Sequence, residues 1–99
     1  MLFRSDRLAT IREVYEKTSS LIDTHTADAV KVARPLVKPG VPMIALETAL
    51  PIKFAETVAL AVGFEPPITA AQQAMMALPQ HVTTIAPSVE RVKAIVSAA

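Results

Sequence analysis

The chain has no cysteine, no tryptophan and only two glycines, Gly40 and Gly63. Each shortage excludes something. Without cysteine there is no disulfide, no thiolate zinc site and no thiol nucleophile, which suits a reducing, cytoplasmic compartment. Two isolated glycines cannot build a phosphate-cradling glycine loop. No apolar run approaches the roughly 20 residues that span a bilayer, so no membrane is expected. The opening Met1-Leu2-Phe3-Arg4-Ser5-Asp6 lacks the apolar centre of a signal peptide. The formal net charge is +1 and basic residues do not cluster with aromatics, so no nucleic-acid partner is expected. One tyrosine and three phenylalanines leave few bulky side chains for a thick core.

What is present is an apolar chain, 52% hydrophobic over 99 residues, with much alanine and valine. That excludes disorder and allows one modest core. The central stretch runs from Val41 to Phe54. Val41 to Leu46 is apolar without alternation, the pattern of a strand buried on both faces, and the strand is expected at about 41–47. Glu47 and Thr48 follow, then Pro51, whose missing N–H costs nothing in the first turn of a helix. The helix continues to Val62, and Gly63 is placed to end it. The corner Glu47–Leu50 therefore sits where strand hands over to helix, the place where open α/β sheets bind ligands. A doubly buried strand needs neighbours for its N–H and C=O groups, and the chain supplies no second one. Either the strand is misread or its partner strands lie outside this chain.

The remaining order is helix, helix, strand, helix and two appended helices. Ser5 or Asp6 is expected to cap the first helix, with Leu8, Ile11 and Val14 or Tyr15 on its apolar face, and Thr18-Ser19-Ser20 ends it. Asp23 or Thr24 caps the second, with Ala27, Val30, Val32, Ala33 and Leu36 inward and Arg34 last before Pro35. Lys38-Pro39-Gly40-Val41-Pro42 is a turn. Beyond the stiff Pro66-Pro67, Thr69 to Leu78 has a weak stripe of Ala70, Ala71, Ala74, Met75 and Leu78. A last helix opens at Pro87 or Ser88, with Val89, Val92, Ile95 and Val96 at helical steps.

Four side chains carry alternatives. Thr48 either satisfies a turn or cap, or donates to a ligand beyond the strand end. Glu47 beside it is solvated or binds a backbone N–H. Lys53 is a snorkelling surface cation or, if buried, a lowered-pKa amine. His25, with Asp23 and Asp28 near it, has no trusted metal spacing and reads as a helix-start histidine making a backbone contact. No metal site, paired carboxylates or Ser/His/Asp set stands out.

The corner Leu46-Glu47-Thr48-Ala49-Leu50-Pro51-Ile52-Lys53-Phe54-Ala55-Glu56-Thr57 resembles the C-terminal signature of threonine synthases, which often reads T-A-H-P-A-K-F. Asp23-Thr24-His25-Thr26-Ala27-Asp28 resembles their D-P-H-T-A segment. Two linked motifs in order are more specific than either alone. The resemblance covers about Asp6 to Gly63; beyond Pro67 only a helical character agrees. It implies a C-terminal piece of a tryptophan-synthase-β-like α/β fold, with 1–64 in the catalytic α/β domain and 65–99 as a helical tail. It further implies a lyase that uses pyridoxal phosphate to convert O-phosphohomoserine and water into threonine and phosphate. Thr48 then aligns with the hydroxyl residue that holds the pyridine nitrogen. Lys53 aligns with the lysine of K-F, which is not the Schiff-base lysine. No catalytic residue of the family falls in this segment. Leu50 stands where many members have histidine, and Thr24 where many have proline. The Leu50 departure fits a subgroup reading E-T-A-L-P and removes any role of that histidine. By this resemblance the isolated chain is expected to be inactive, and free edges on the strand would favour its self-association.

Two other classes stay open. One is a small non-enzymatic helical interaction module that adds Val41–Leu46 to another sheet edge. The other is a different pyridoxal enzyme of the same fold, such as a dehydratase. The paired motifs favour threonine synthase over the latter.

Overall fold

A computed structural model describes residues 4–98. It divides into two compact units, 1–69 and 70–99. The first holds helices α1 (Arg4–Thr18), α2 (Thr24–Ala33) and α3 (Ala55–Val62). Short 3-10 turns follow α2 at Arg34–Leu36 and precede α3 at Pro51–Phe54. The second holds α4 (Ala70–Met76) and α5 (Val89–Ala98).

The core of the first unit is small. Ile11 of α1, Ala27 of α2, and Val58 and Ala61 of α3 are buried, with Leu8, Leu21, Ile22 and Val62 packed around them. Small residues at Ala27 and Ala61 let α2 and α3 sit close to α1 on either side of Ile11. Polar ties reinforce the pairing. The Arg7 guanidinium grips Asp28 through both carboxylate oxygens, Lys31 Nζ lies 3.4 Å from Asp6, and Arg34 pairs with Glu13, all joining α1 to α2 or its end. Arg12 Nε donates to the Ala61 carbonyl at 2.7 Å, satisfying an end carbonyl of α3. Past Gly63, Phe64 sets its ring edge-on to Tyr15 of α1, centroids 5.3 Å apart.

Helix ends follow local chemistry. The Asp23 carboxylate accepts from the His25 and Thr26 N–H groups and caps α2. Pro51 takes the first turn ahead of α3, and Gly63 closes α3 in the left-handed region at φ 88°, its N–H bonded to the Ala59 carbonyl at 2.8 Å. Ser19, at φ 58°, stops α1 in the same region without being glycine. Lys38-Pro39-Gly40-Val41 is the expected turn, with Gly40 at φ 76° and Val41 N–H on the Lys38 carbonyl at 3.2 Å. In the second unit, Ser88 Oγ accepts the Arg91 N–H at 3.3 Å and caps α5.

Three expectations are corrected. The strand at about 41–47 does not form. Among the described residues the only bridge is the isolated antiparallel pair Lys38 and Val41, and Pro42 to Thr48 has no regular secondary structure. A strand exists only through ladder bonds to a neighbour, and no second extended segment offers them. Ser5 and Asp6 lie inside α1, not at its cap. Val32 and Leu36, assigned inward, are exposed, because the inward face of α2 is set by Ala27 together with the half-buried Val30 and Ala33.

Candidate functional site

The two motif segments meet in the first unit. Asp23 is fully buried at the head of α2. Its Oδ1 accepts the Thr26 N–H at 3.0 Å and the Thr26 hydroxyl; its Oδ2 accepts the His25 N–H at 2.9 Å and lies 2.9 Å from His25 Nδ1. Burial pushes this carboxyl up, but the Thr26 hydroxyl and the His25 and Thr26 donors outweigh it and hold it below the usual carboxylate range. An ionised carboxylate accepts only, so Nδ1 carries the proton it shares with Asp23. The imidazole is thereby oriented, and it packs T-shaped against the Phe54 ring with centroids 4.9 Å apart and planes at 66°. Phe54 ends the 3-10 turn that Pro51 begins. Within that turn the Lys53 N–H bonds the Leu50 carbonyl at 3.0 Å.

Thr48 stands just before this turn, exposed, at the end of the irregular segment that begins at Pro42. Neither its side chain nor that of Glu47 makes a hydrogen bond or ion pair with a described residue. Of the two roles open to Thr48, the turn or cap is absent: Leu50 holds the cap position of the 3-10 turn, with no side-chain cap bond. Lys53 is exposed and points no ion pair at a described residue. The His25 ring bonds the Asp23 carboxylate rather than a backbone group and, in addition, contacts the Phe54 ring. That contact joins residues 29 positions apart, and only the fold brings them together. The Asp23 cap was legible from residue type and spacing. Among the described residues, no three His, Asp or Glu side chains gather to hold a metal.

The apolar residues flanking the corner are open to solvent. Ile44 is 77% exposed and Leu46 73%, with Val41, Met43 and Leu50 also exposed. A shallow apolar groove runs beside this segment, lined by Val30, Ala33, Arg34, Val37, Met43 and Ala45.

Residues 26–96 match the family model described as threonine synthase, C-terminal. The match runs through the tail, where the motifs alone showed only helical character. The chain is 42% identical over 90 residues to the threonine synthase of Corynebacterium glutamicum, covering 90% of this chain and 19% of that protein. It is 40% identical over 77 residues to that of Methylobacillus glycogenes, covering 78% of this chain and 16% of the relative. The crystal structure of PLP-bound threonine synthase from Brucella melitensis is similar, with a TM-score of 0.78 and 34% identity, covering 96% of this chain and 20% of that one. The chain thus spans about a fifth of the length of these relatives.

Proposed function

The chain belongs to the threonine synthase family, and from that premise we propose that it serves as the C-terminal part of an enzyme converting O-phosphohomoserine and water into threonine and phosphate with pyridoxal phosphate. Residues 1–64 then belong to the catalytic α/β domain and 65–99 to its helical tail. The observation that carries the proposal is Thr48: an exposed hydroxyl, unengaged by any described residue, at the head of an anchored proline-led turn.

That hydroxyl fits the pyridine nitrogen of the cofactor. When bound, pyridoxal phosphate supplies the electron sink for bond cleavage at the substrate carbon. Thr48 would hold the ring nitrogen by one hydrogen bond. Unlike a carboxylate, a threonine hydroxyl brings no negative charge that would hold the nitrogen as a full cation, so the sink is tempered. Glu47 and Lys53 stay solvated beside it. The family resemblance assigns no residue of this chain as the lysine that holds the cofactor covalently.

Two measurements test this. The 99-residue chain, incubated with pyridoxal phosphate and O-phosphohomoserine, releases no phosphate above background; steady turnover overturns the assignment of the chain as only part of the catalytic unit. In a threonine synthase carrying this segment, Thr48→Ala lowers kcat by about tenfold or more with little change in melting temperature, and Thr48→Ser retains most activity. Unchanged kinetics in Thr48→Ala removes this hydroxyl from the site.

A further inference from the structure

We propose that His25 is a positioning residue for the Thr48 corner, acting as a latch between the two motif segments. The inference rests on the assignment of Thr48 above and extends it to a residue with no assigned role.

The contacts form a continuous chain. Asp23 is fully buried and cannot turn, since its two oxygens are committed to four donors on His25 and Thr26. One of those donors is His25 Nδ1, which removes the free rotation an exposed imidazole would otherwise have. The ring, although 60% exposed, is therefore a fixed surface. Phe54 rests on it edge-to-face at 4.9 Å. Phe54 closes the same 3-10 turn whose Lys53 N–H returns to Leu50, two residues after Thr48.

The corner has few other restraints. From Pro42 to Ala49 no backbone or side-chain hydrogen bond reaches a described residue. The turn Pro51–Phe54 contains no fully buried residue, although Pro51, Ile52 and Phe54 are half-buried. The turn runs directly into α3, and the His25 ring is the aromatic contact of its last residue, Phe54. A histidine serves here because one side of the requirement is polar and the other aromatic: a ring nitrogen for Asp23 and an aromatic ring for Phe54. Asparagine keeps the first and loses the second; phenylalanine keeps the second and loses the first.

The test has one arm without cofactor and one with it. In the 99-residue chain, amide hydrogen exchange at Lys53 is followed by NMR. His25→Asn and Phe54→Leu each speed Lys53 exchange by about fivefold, and the double variant adds nothing further. Amides of α3 near Gly63 stay within about twofold of the parent, which shows that the helix itself is intact. Phe54→Tyr keeps the ring and restores the parent rate. Parent-like Lys53 exchange in both single variants, or effects that multiply in the double variant, overturns the latch.

In a threonine synthase carrying this segment, the two variants lower kcat by about fivefold with KM within about twofold, and shift the absorbance maximum of the bound cofactor in the direction that Thr48→Ala does. Normal kcat and an unshifted spectrum in the latch variants, with both altered in Thr48→Ala, overturn the inference and leave the Thr48 assignment standing. Unchanged kinetics in Thr48→Ala overturn that assignment instead, while the exchange arm still decides whether His25 holds the turn.

Discussion

Asp23 shows how one residue can be both structural and electrostatic. It is buried, yet its carboxyl stays below the usual range because four donors favour the charged form over the cost of burial. A carboxyl whose folded pKa is depressed binds fewer protons folded than unfolded. Its stabilisation is complete above the unfolded value of about 3.9 and is lost as the pH falls through the folded value. Removing it takes away the α2 cap and strands the Thr26 hydroxyl, so Asp23→Ala destabilises by about 2 kcal/mol or more at neutral pH. Thermal melts followed by circular dichroism check both statements: the gap between parent and variant is widest near neutrality and narrows below about pH 4. Glu13, lowered by Lys17 and Arg34, titrates in the same direction but is solvent-exposed on α1, so its share is screened. A gap that stays constant down to pH 2 would count against Asp23 as the acid-sensitive group.

Among the elements, α3 depends most on its ends. It is eight residues long, too short to persist without packing, and its inward residues Val58 and Ala61 are half of the buried apolar core. Its C-terminus is closed twice, by Gly63 in the left-handed region and by Arg12 on the Ala61 carbonyl. A Cβ added at Gly63 meets no atom within 4 Å, so the cost of Gly63→Ala is purely conformational, about 1 kcal/mol. Ile11→Ala is of another order. It empties the one large side chain of α1 that α2 and α3 both need, at about 2–5 kcal/mol. Urea unfolding ranks them: Gly63→Ala shifts the midpoint modestly, and Ile11→Ala abolishes the cooperative transition of a core this small. Equal shifts would mean that Ile11 is not central.

For the molecule as a whole, the informative feature is how much apolar surface its two units leave uncovered. In the first unit, Val41, Met43, Ile44, Leu46 and Leu50 are exposed, and between Pro42 and Ala49 no backbone group bonds a described residue; in the second, Val89, Val92, Ile95 and Val96 of α5 are exposed. Exposed apolar residues on a segment with unpaired backbone groups favour association. Purified chain is expected to elute larger than a 10.6 kDa monomer at high concentration and to shift on dilution. Ile44→Lys with Leu46→Lys should abolish that shift. A concentration-independent monomer in both proteins rules out association through this segment.

Much of this was legible before any coordinates. Residue type and spacing alone placed the Asp23 cap, the Pro51 entry, the Gly63 stop, the Pro39-Gly40 turn and the end of α1 at Thr18, because each is decided within a few residues by backbone sterics and local hydrogen bonds. The two motifs likewise pointed to the family that the comparisons then showed. The strand at 41–47 failed because an unalternating apolar run becomes a strand only by pairing with another, and no described residue offers that pairing. The exposure of Val32 and Leu36, the Arg12 tie to Ala61 and the meeting of His25 with Phe54 were equally hidden. They depend on how three helices rotate about Ile11, and that rotation is set by packing between residues far apart in the chain. Local chemistry thus determined where the elements start and stop, and tertiary packing decided which faces meet, which side chains stay in water, and that the two motifs touch.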